Sequence, residues 1–185
     1  MRVLRALPAL FLLGAAPTQH YVIDAAASDV SARVAFFGLA SKTARFPKVS
    51  GRIALAGDKP DQIDLTVKLD ATALTAPDKV TLARLKGPKF FDTARYPTIL
   101  FIAQRMQMTT ERDARIAGQL TARGITRDAT LTARFTAPPL RAGGRTPLTL
   151  DGETVIDRRD FGMTAYPLIV GRKVTIRIRA ALVPV

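Results

Sequence analysis

The sequence contains no cysteine, no tryptophan and a single histidine, His20. Without cysteine there is no disulfide scaffold, iron–sulfur cluster, thiolate zinc site or cysteine nucleophile. One histidine cannot build a multi-histidine metal centre, and its place beside the predicted processing site rules against a Ser–His–Asp triad. Of the 15 acidic residues only Glu111 and Glu153 are glutamates, and the acids are scattered rather than clustered. We therefore expect no catalytic residues, no metal site and no cofactor.

Positive charge is in clear excess. Lys and Arg number 28 against 15 acids in 185 residues, which gives a net charge of +13, while 48% of the residues are hydrophobic. The length suits one domain, and the chain is too apolar to be disordered. Because the excess charge is positive, a solvent-facing partner should be anionic. Charge alone leaves both an anionic membrane surface and a nucleic acid open.

The N-terminus has the pattern of a secretory signal peptide. Arg2 and Arg5 precede the uncharged run ALPALFLLGAA at residues 6–16, which ends in small residues. The run is shorter than the roughly 20 residues of a membrane-spanning helix. We expect a signal peptide over residues 1–18 with cleavage near Ala16, and one domain over residues 19–185 in the periplasm or outside the cell. The alternative is an N-terminal helix that packs on the domain or tethers it to a membrane.

The remainder of the chain alternates between apolar and polar residues with a period of two. The segment Gln62 to Asp70 places Ile63, Leu65, Val67 and Leu69 on one face and polar residues on the other, as a half-buried strand does. Similar alternation predicts eight strands at residues 30–36, 52–55, 62–70, 98–106, 115–123, 130–136, 154–157 and 173–182. Only residues 78–86 have helical spacing. The expectation is an all-β antiparallel domain with one short helix.

Eight strands with one apolar face each can bury those faces in a two-sheet sandwich or in a closed barrel. Alternation does not separate the two. The apolar faces carry many small residues, such as Ala32, Gly118 and Ala133, and few large aromatic ones. Small side chains either let two sheets approach closely or leave a lumen open for an apolar ligand. The residues themselves leave both arrangements open.

Four motifs in order resemble the YceI-like family of secreted bacterial lipid-binding proteins. They are Tyr21-Val22-Ile23-Asp24, FFDTARYPTILF at residues 90–101, GQLTARGITRDATL at 118–131 and IDRRDFGM at 156–163. Together they span almost all of the chain after the predicted leader. The resemblance implies an antiparallel, lipocalin-like β-barrel of about eight strands with one short helix. It also implies a long isoprenoid, such as a polyisoprenoid quinone or polyprenyl lipid, in the barrel lumen.

On this resemblance the protein is a non-enzymatic carrier that binds an amphiphilic lipid and contacts an anionic membrane surface; a homodimer is one form it could take. The alternative is a secreted basic barrel that binds polyanions or nucleic acid, suggested by six arginines between residues 105 and 134. That region lacks the interleaved aromatic residues that most single-strand binders use. The apolar parity of the strands, together with Phe161, predicts these lumen residues: Val30, Ala32, Val34, Phe36, Ile63, Leu65, Val67, Leu69, Phe101, Leu120, Leu131, Phe135, Phe161, Val174, Ile176 and Ile178.

The chain departs from the family pattern at polar positions. The family commonly has histidines where this chain has Ala27 and Phe36, so the head group of the lipid is not implied. In the segment IDRRDFGM we expect Gly162 to allow a tight bend and Phe161 to enter the barrel or plug its end. We also expect Arg158 and Asp160 to pair at the rim.

Overall fold

The computed structural model describes residues 18–57 and 59–185, so the predicted signal peptide lies almost entirely outside the described residues. Within them the chain forms nine strands and one α-helix. The strands are β1 (Gln19–Phe36), β2 (Ala40–Arg45), β3 (Val49–Leu55), β4 (Gln62–Asp70), β5 (Thr98–Met108), β6 (Asp113–Ala122), β7 (Ile125–Phe135), β8 (Leu148–Asp157) and β9 (Val170–Pro184). The helix, α1, is Lys79–Lys86, and single 3₁₀ turns lie at Ala71–Ala73, Pro139–Arg141 and Arg158–Phe161.

The strands close into an antiparallel barrel. One edge of β1 pairs with β9. The other edge pairs with β3 over Gln19–Val22 and with β2 over Ser31–Phe36, so β2 and β3 lie end to end along the same strand. Neighbouring strands from β3 to β9 then pair in chain order. The result is a closed circuit of eight strands, which confirms the predicted barrel and rules out the sandwich.

Strand β1 is longer than the alternation predicts. It begins at Gln19, and its register against β9 shifts between Asp24 and Asp29. The Ser28 hydroxyl accepts a hydrogen bond from the Ala181 N–H at 3.0 Å within this irregular stretch. Such a bulge interrupts the period of two, which is why residues 19–29 were not predicted as strand. Strand β2 was also missed, because ASKTAR has few apolar residues and forms its sheet through pairing with β1.

The barrel has two different ends. At the upper end lie the β1–β2 turn (residues 37–39), α1 and the loops around it (71–97), the β6–β7 turn (123–124) and the β8–β9 loop (158–169). At the lower end lie the β3–β4, β5–β6 and β7–β8 loops. The Gln19 side chain donates to the Leu140 carbonyl at 3.2 Å and accepts from the Gly144 N–H at 3.1 Å. The β7–β8 loop thereby closes the lower end.

Two clusters of buried side chains fill the barrel. The lower core cluster includes Tyr21, Leu55, Ile116 and Leu182, whereas the upper core cluster includes Val30, Phe46, Leu74, Phe161 and Met163. Ile23, Val67, Phe101 and Ile178 are only partly buried and pack against both clusters. The middle of the barrel is therefore the place where packing is least complete.

Helix α1 begins as the sequence predicts. The Asp78 carboxylate accepts a hydrogen bond from the Thr81 N–H at 2.8 Å, which is the usual N-cap arrangement. This bond, with those from Lys42 and the Thr81 hydroxyl, holds the pKa of Asp78 well below its ordinary value. The Lys42 ammonium lies 3.0 Å from the same carboxylate and ties the helix to β2. Among the described residues no helix is long and apolar enough to cross a membrane.

Candidate functional site: the barrel lumen

An apolar cavity of about 130 Å³ lies between the two core clusters. All eight strands of the closed circuit contribute to its wall, because each places alternate side chains inward. The accessible surface of this wall is entirely apolar, although Ser28, Thr154, Arg158 and Arg179 border it. A cavity of this kind stays dry and favours apolar ligands, since nothing in it can replace the hydrogen bonds of water.

Most of the residues that the sequence predicts for the lumen line this cavity. Thirteen of the sixteen do so: Val30, Ala32, Ile63, Leu65, Val67, Leu69, Phe101, Leu120, Leu131, Phe135, Val174, Ile176 and Ile178. They come from six strands that are distant in sequence. The shared parity along each strand brings them together once the barrel closes.

Three predicted residues lie outside the cavity wall. Val34 and Phe36 are at the upper end of β1, above the cavity, where the Phe36 ring packs edge-on against the Phe37 ring at 4.7 Å between centroids. Phe161 is buried in the upper core cluster, so it plugs the upper end rather than lining the space below. Val34 and Phe36 have the inward parity of β1, but their height along the barrel differs from that of the cavity.

Other cavity residues were not predicted from the sequence. Ile23, Val49, Ala129 and Leu150 share the inward parity of strands that were predicted too short, and a longer reading of those strands would have found them. Within the predicted bounds of other strands lie further inward residues that were not named for the lumen: Ile53, Ile99, Ile116, Ala122 and Ile156. Phe46 comes from the connection between β2 and β3, and Phe91 and Met163 come from loops of the upper end, where no periodic pattern reveals them.

The β8–β9 loop is fixed over the upper end by one buried cation. Arg158 is only 3% exposed and donates hydrogen bonds to the carbonyls of Gly171 and Val170, each at 2.9 Å, and to that of Met163. Burial lowers the pKa of this guanidinium from its ordinary value. The predicted rim pair of Arg158 with Asp160 is wrong, because Arg158 points inward and its donors are taken by backbone oxygens.

The neighbouring Asp157 is the carboxylate that forms ion pairs. Its oxygen lies 3.2 Å from the Arg159 guanidinium and 3.1 Å from that of Arg172. The bonds from the Arg159 side chain and backbone, and then from Arg172, hold the pKa of Asp157 well below its ordinary value. Gly162 follows with a φ of +72°, so the tight bend predicted there is present.

A second arginine joins the loops of the upper end. Arg123, in the β6–β7 turn, donates to the Pro88 carbonyl at 2.7 Å and to the Gly162 carbonyl. It thus links the segment after α1 to the β8–β9 loop. Within residues 18–57 and 59–185, no three His, Cys, Asp or Glu side chains lie close enough together to hold a metal ion.

Comparison with known proteins identifies the family. The model of the YceI-like domain matches residues 21–182, which is the whole barrel. The chain belongs to the YceI-like family. A relative, the UPF0312 protein of Pseudomonas savastanoi pv. phaseolicola, is 24% identical over 157 residues, covering 84% of this chain and 82% of the relative. The UPF0312 protein of Azotobacter vinelandii is 23% identical over the same length and coverage.

Solved structures share the YceI-like barrel. BcnA of Burkholderia cenocepacia superimposes with a TM-score of 0.76 at 21% identity, covering 86% of this chain and 98% of BcnA. A polyisoprenoid binding domain from Saccharophagus degradans, implicated in plant cell wall breakdown, gives a TM-score of 0.67 at 17% identity and covers 93% and 100%. At these identities the likeness concerns the fold.

Proposed function

We propose that this protein is a non-enzymatic carrier that holds the apolar tail of an isoprenoid or similar amphiphilic lipid in its lumen. The observation that carries the proposal is the dry cavity whose wall comes from all eight strands of the circuit. The family membership and the neighbour described as a polyisoprenoid binding domain support lipid as the ligand class. The signal-peptide pattern of residues 1–16 supports a periplasmic or secreted location.

The driving force for binding is burial of the lipid tail. Each methylene removed from water contributes about 0.8 kcal/mol, so a tail of several isoprene units needs no specific polar contact to bind tightly. At about 130 Å³ the cavity is smaller than the roughly 300–1,000 Å³ of typical ligand pockets. The proposal therefore includes widening of the lumen on binding, through movement of partly buried side chains such as Val67, Phe101 and Ile178.

The salt dependence of binding affinity distinguishes the lipid carrier from the alternative, a basic barrel that binds polyanions. Affinity for a polyisoprenoid quinone in detergent-free buffer should change by less than about twofold between 50 and 200 mM salt, because tail burial involves no counterion release. Affinity for a single-stranded oligonucleotide would fall by orders of magnitude over that range if it relied on several phosphate contacts. Equilibrium binding of both ligands measures this. A steep loss of quinone binding, or oligonucleotide binding tighter than quinone binding, would favour the rival.

The structure gives the polyanion binder little support. The outward faces of β6 and β7 carry Arg115, Arg127 and Arg134 but no aromatic residue on which bases could stack. Arg134 faces Asp113 at 3.4 Å, and Arg123 is engaged by backbone carbonyls. The arginines clustered in sequence are thus distributed over the barrel wall and its upper end.

The proposal also includes contact with an anionic membrane surface at the upper end. Phe37 is 62% exposed and Leu39 and Leu168 are fully exposed, on two turns joined by a 2.8 Å hydrogen bond from the Phe37 N–H to the Ile169 carbonyl. Arg84 and Lys89 lie over the Tyr166 ring nearby, at 5.6 and 5.5 Å. Apolar tips flanked by cations suit a bilayer that contains acidic lipids.

Sedimentation with vesicles tests the membrane contact. Vesicles of phosphatidylcholine with added phosphatidylglycerol should bring down more protein than phosphatidylcholine alone, because each well-placed Lys or Arg contributes about 1 kcal/mol at an anionic surface. Leu39→Ser with Leu168→Ser should reduce this sedimentation, whereas Val155→Ser on the barrel wall should not. Equal sedimentation by both vesicle types would contradict the contact with an anionic membrane.

The homodimer named among the expected forms of the protein stays a prediction.

A further inference from the structure

The barrel wall is incomplete at one seam, between β7 and β8. Strand β7 pairs with β6 through ten residue pairs, and β8 pairs with β9 through ten. Between β7 and β8 the register covers only four pairs, from Thr132–Glu153 to Phe135–Leu150. Above them, the stretches 125–131 and 154–157 face each other with no ladder pairing in the described structure. We call these two stretches the upper seam.

Both edges of the upper seam also line the lumen. Ala129 and Leu131 of β7 and Thr154 and Ile156 of β8 belong to the cavity wall. In a closed barrel, backbone groups of adjacent strands pair continuously, which is what seals the lumen from the outside. Where that pairing is missing, two strands separate without breaking backbone hydrogen bonds to each other. The upper seam is therefore the part of the wall that opens at least cost.

A groove of about 760 Å³ lies outside the wall, mainly over β7, β8 and β9, and reaches the upper seam at Thr130, Thr154 and Val155. Thr130, Thr132, Glu153 and Val155 line it from the two strands of the seam. The groove and the lumen cavity share three lining residues, Thr154, Ile178 and Arg179. Of the three, Thr154 lies at the edge of the upper seam, so both spaces border the seam at this residue.

The groove is polar, and each of its three arginines faces a carboxylate. The Arg177 guanidinium lies 2.8 Å from the Glu153 carboxylate, that of Arg179 lies 3.8 Å from Asp151, and that of Arg134 lies 3.4 Å from Asp113. These side chains all line the groove or its edge. The polar end of an amphiphile finds hydrogen-bond donors and acceptors there, and Thr154 borders both this groove and the apolar lumen.

We propose that the ligand's apolar tail enters the lumen sideways through the upper seam and that its polar end remains in the outer groove. The inference rests on the proposed function. The two barrel ends are less suited to entry, because Arg158 and Arg123 fix the loops of the upper end and Gln19 fixes the loop of the lower end. Entry there would break these hydrogen bonds, whereas entry through the upper seam breaks no ladder pairs between β7 and β8.

Because the chain contains no cysteine, a thiol cross-linker reacts only with cysteines that are introduced by mutation. Thr130→Cys with Val155→Cys places one thiol on each side of the seam, both on the outer face, and the shortest bis-maleimide that reaches can join them. The control is Thr66→Cys with Ile102→Cys, outward residues that are register partners within a continuous stretch of pairs between β4 and β5, from Leu65–Ala103 to Asp70–Thr98. Both proteins are first loaded with a polyisoprenoid quinone, the loading is measured, and only then are the thiols joined.

Release of the quinone to phosphatidylcholine vesicles is the readout. The cross-link across the upper seam should slow quinone release by about tenfold or more. It blocks the exit route of the quinone, and this lowers the dissociation rate without changing the contacts of the bound quinone. The control cross-link and the unjoined double cysteine should release at the wild-type rate. Unchanged release after cross-linking the upper seam, or equal slowing by the control, would overturn the inference while leaving lipid binding intact.

Two further outcomes are distinguishable. If neither protein loads quinone before cross-linking, the proposed function fails, and the inference falls with it. If the seam thiols join two chains rather than one, seen as a doubled mass on a denaturing gel, the free strand edges serve pairing between copies and the side entrance is overturned. A single-chain product with slowed release is the result that we expect.

Discussion

Leu120→Arg is expected to leave the barrel folded and to abolish lipid retention. Leu120 is 8% exposed, lies on β6 beside its register partner Phe101, and lines the cavity. A buried unpaired charge costs several kcal/mol, so the melting temperature should fall. A lumen that widens for lipid can also admit water, and the long, flexible arginine side chain can place its charged head in that water. The charged head then occupies the space of the lipid tail.

The matched control is Gln119→Arg, one residue away on the outer face of β6. It should retain lipid and wild-type stability. Circular dichroism and lipid retention on the purified proteins measure both effects. A folded Leu120→Arg protein that still copurifies with lipid would defeat the lumen assignment. A variant that unfolds would indicate a packed core at Leu120 rather than a space that lipid can use.

Arg158→Met is expected to lower the free energy of unfolding by about 3 kcal/mol or more, because three carbonyl oxygens lose their donor and each buried acceptor left unsatisfied costs about 1–3 kcal/mol. The substitution keeps an apolar side chain of similar length but removes the donors to the carbonyls of Met163, Val170 and Gly171. Those buried oxygens would lose their partners, and the β8–β9 loop would no longer be fixed over the upper end.

Urea unfolding measures this change, with Arg172→Met as the control. The Arg172 side chain is mostly exposed and forms an ion pair with Asp157, so its loss should cost below about 1 kcal/mol. A similar loss for the two variants would show that the buried bonds of Arg158 contribute no more than a surface ion pair. A fall in the slope of the urea transition for Arg158→Met alone would indicate that the loop has already loosened in the folded state.

Local alternation is enough to predict the strands and their inward faces, because the side-chain period of a strand is a property of its own residues. For this reason β4, with Ile63, Leu65, Val67 and Leu69, was predicted with its exact bounds, and the central ten of the fifteen residues of β9 were predicted. The closure into a barrel was not contained in the alternation and required the motif resemblance. Strand β2 depends on pairing with β1, so its own composition carries little signal.

The residues of the candidate site also divide into those that local alternation predicts and those that depend on contacts between distant segments. Residues such as Leu120 and Ile176 follow from strand parity, whereas Phe46, Phe91 and Met163 reach the cavity through loop geometry. Parity also fails to give height along the barrel, which is why Val34 and Phe36 were predicted for a cavity that lies below them. The burial of Arg158 and the missing pairs between β7 and β8 are relations between distant segments, and no local pattern in the sequence expresses them.

The central claim, that the lumen binds an isoprenoid lipid, is tested most directly by native mass spectrometry of protein purified from its own host, followed by lipid extraction. We expect a bound species that persists in the gas phase and yields a prenyl lipid on extraction, in a ratio of about one per chain. Protein that carries no lipid and takes up none when offered a polyisoprenoid quinone would contradict the account.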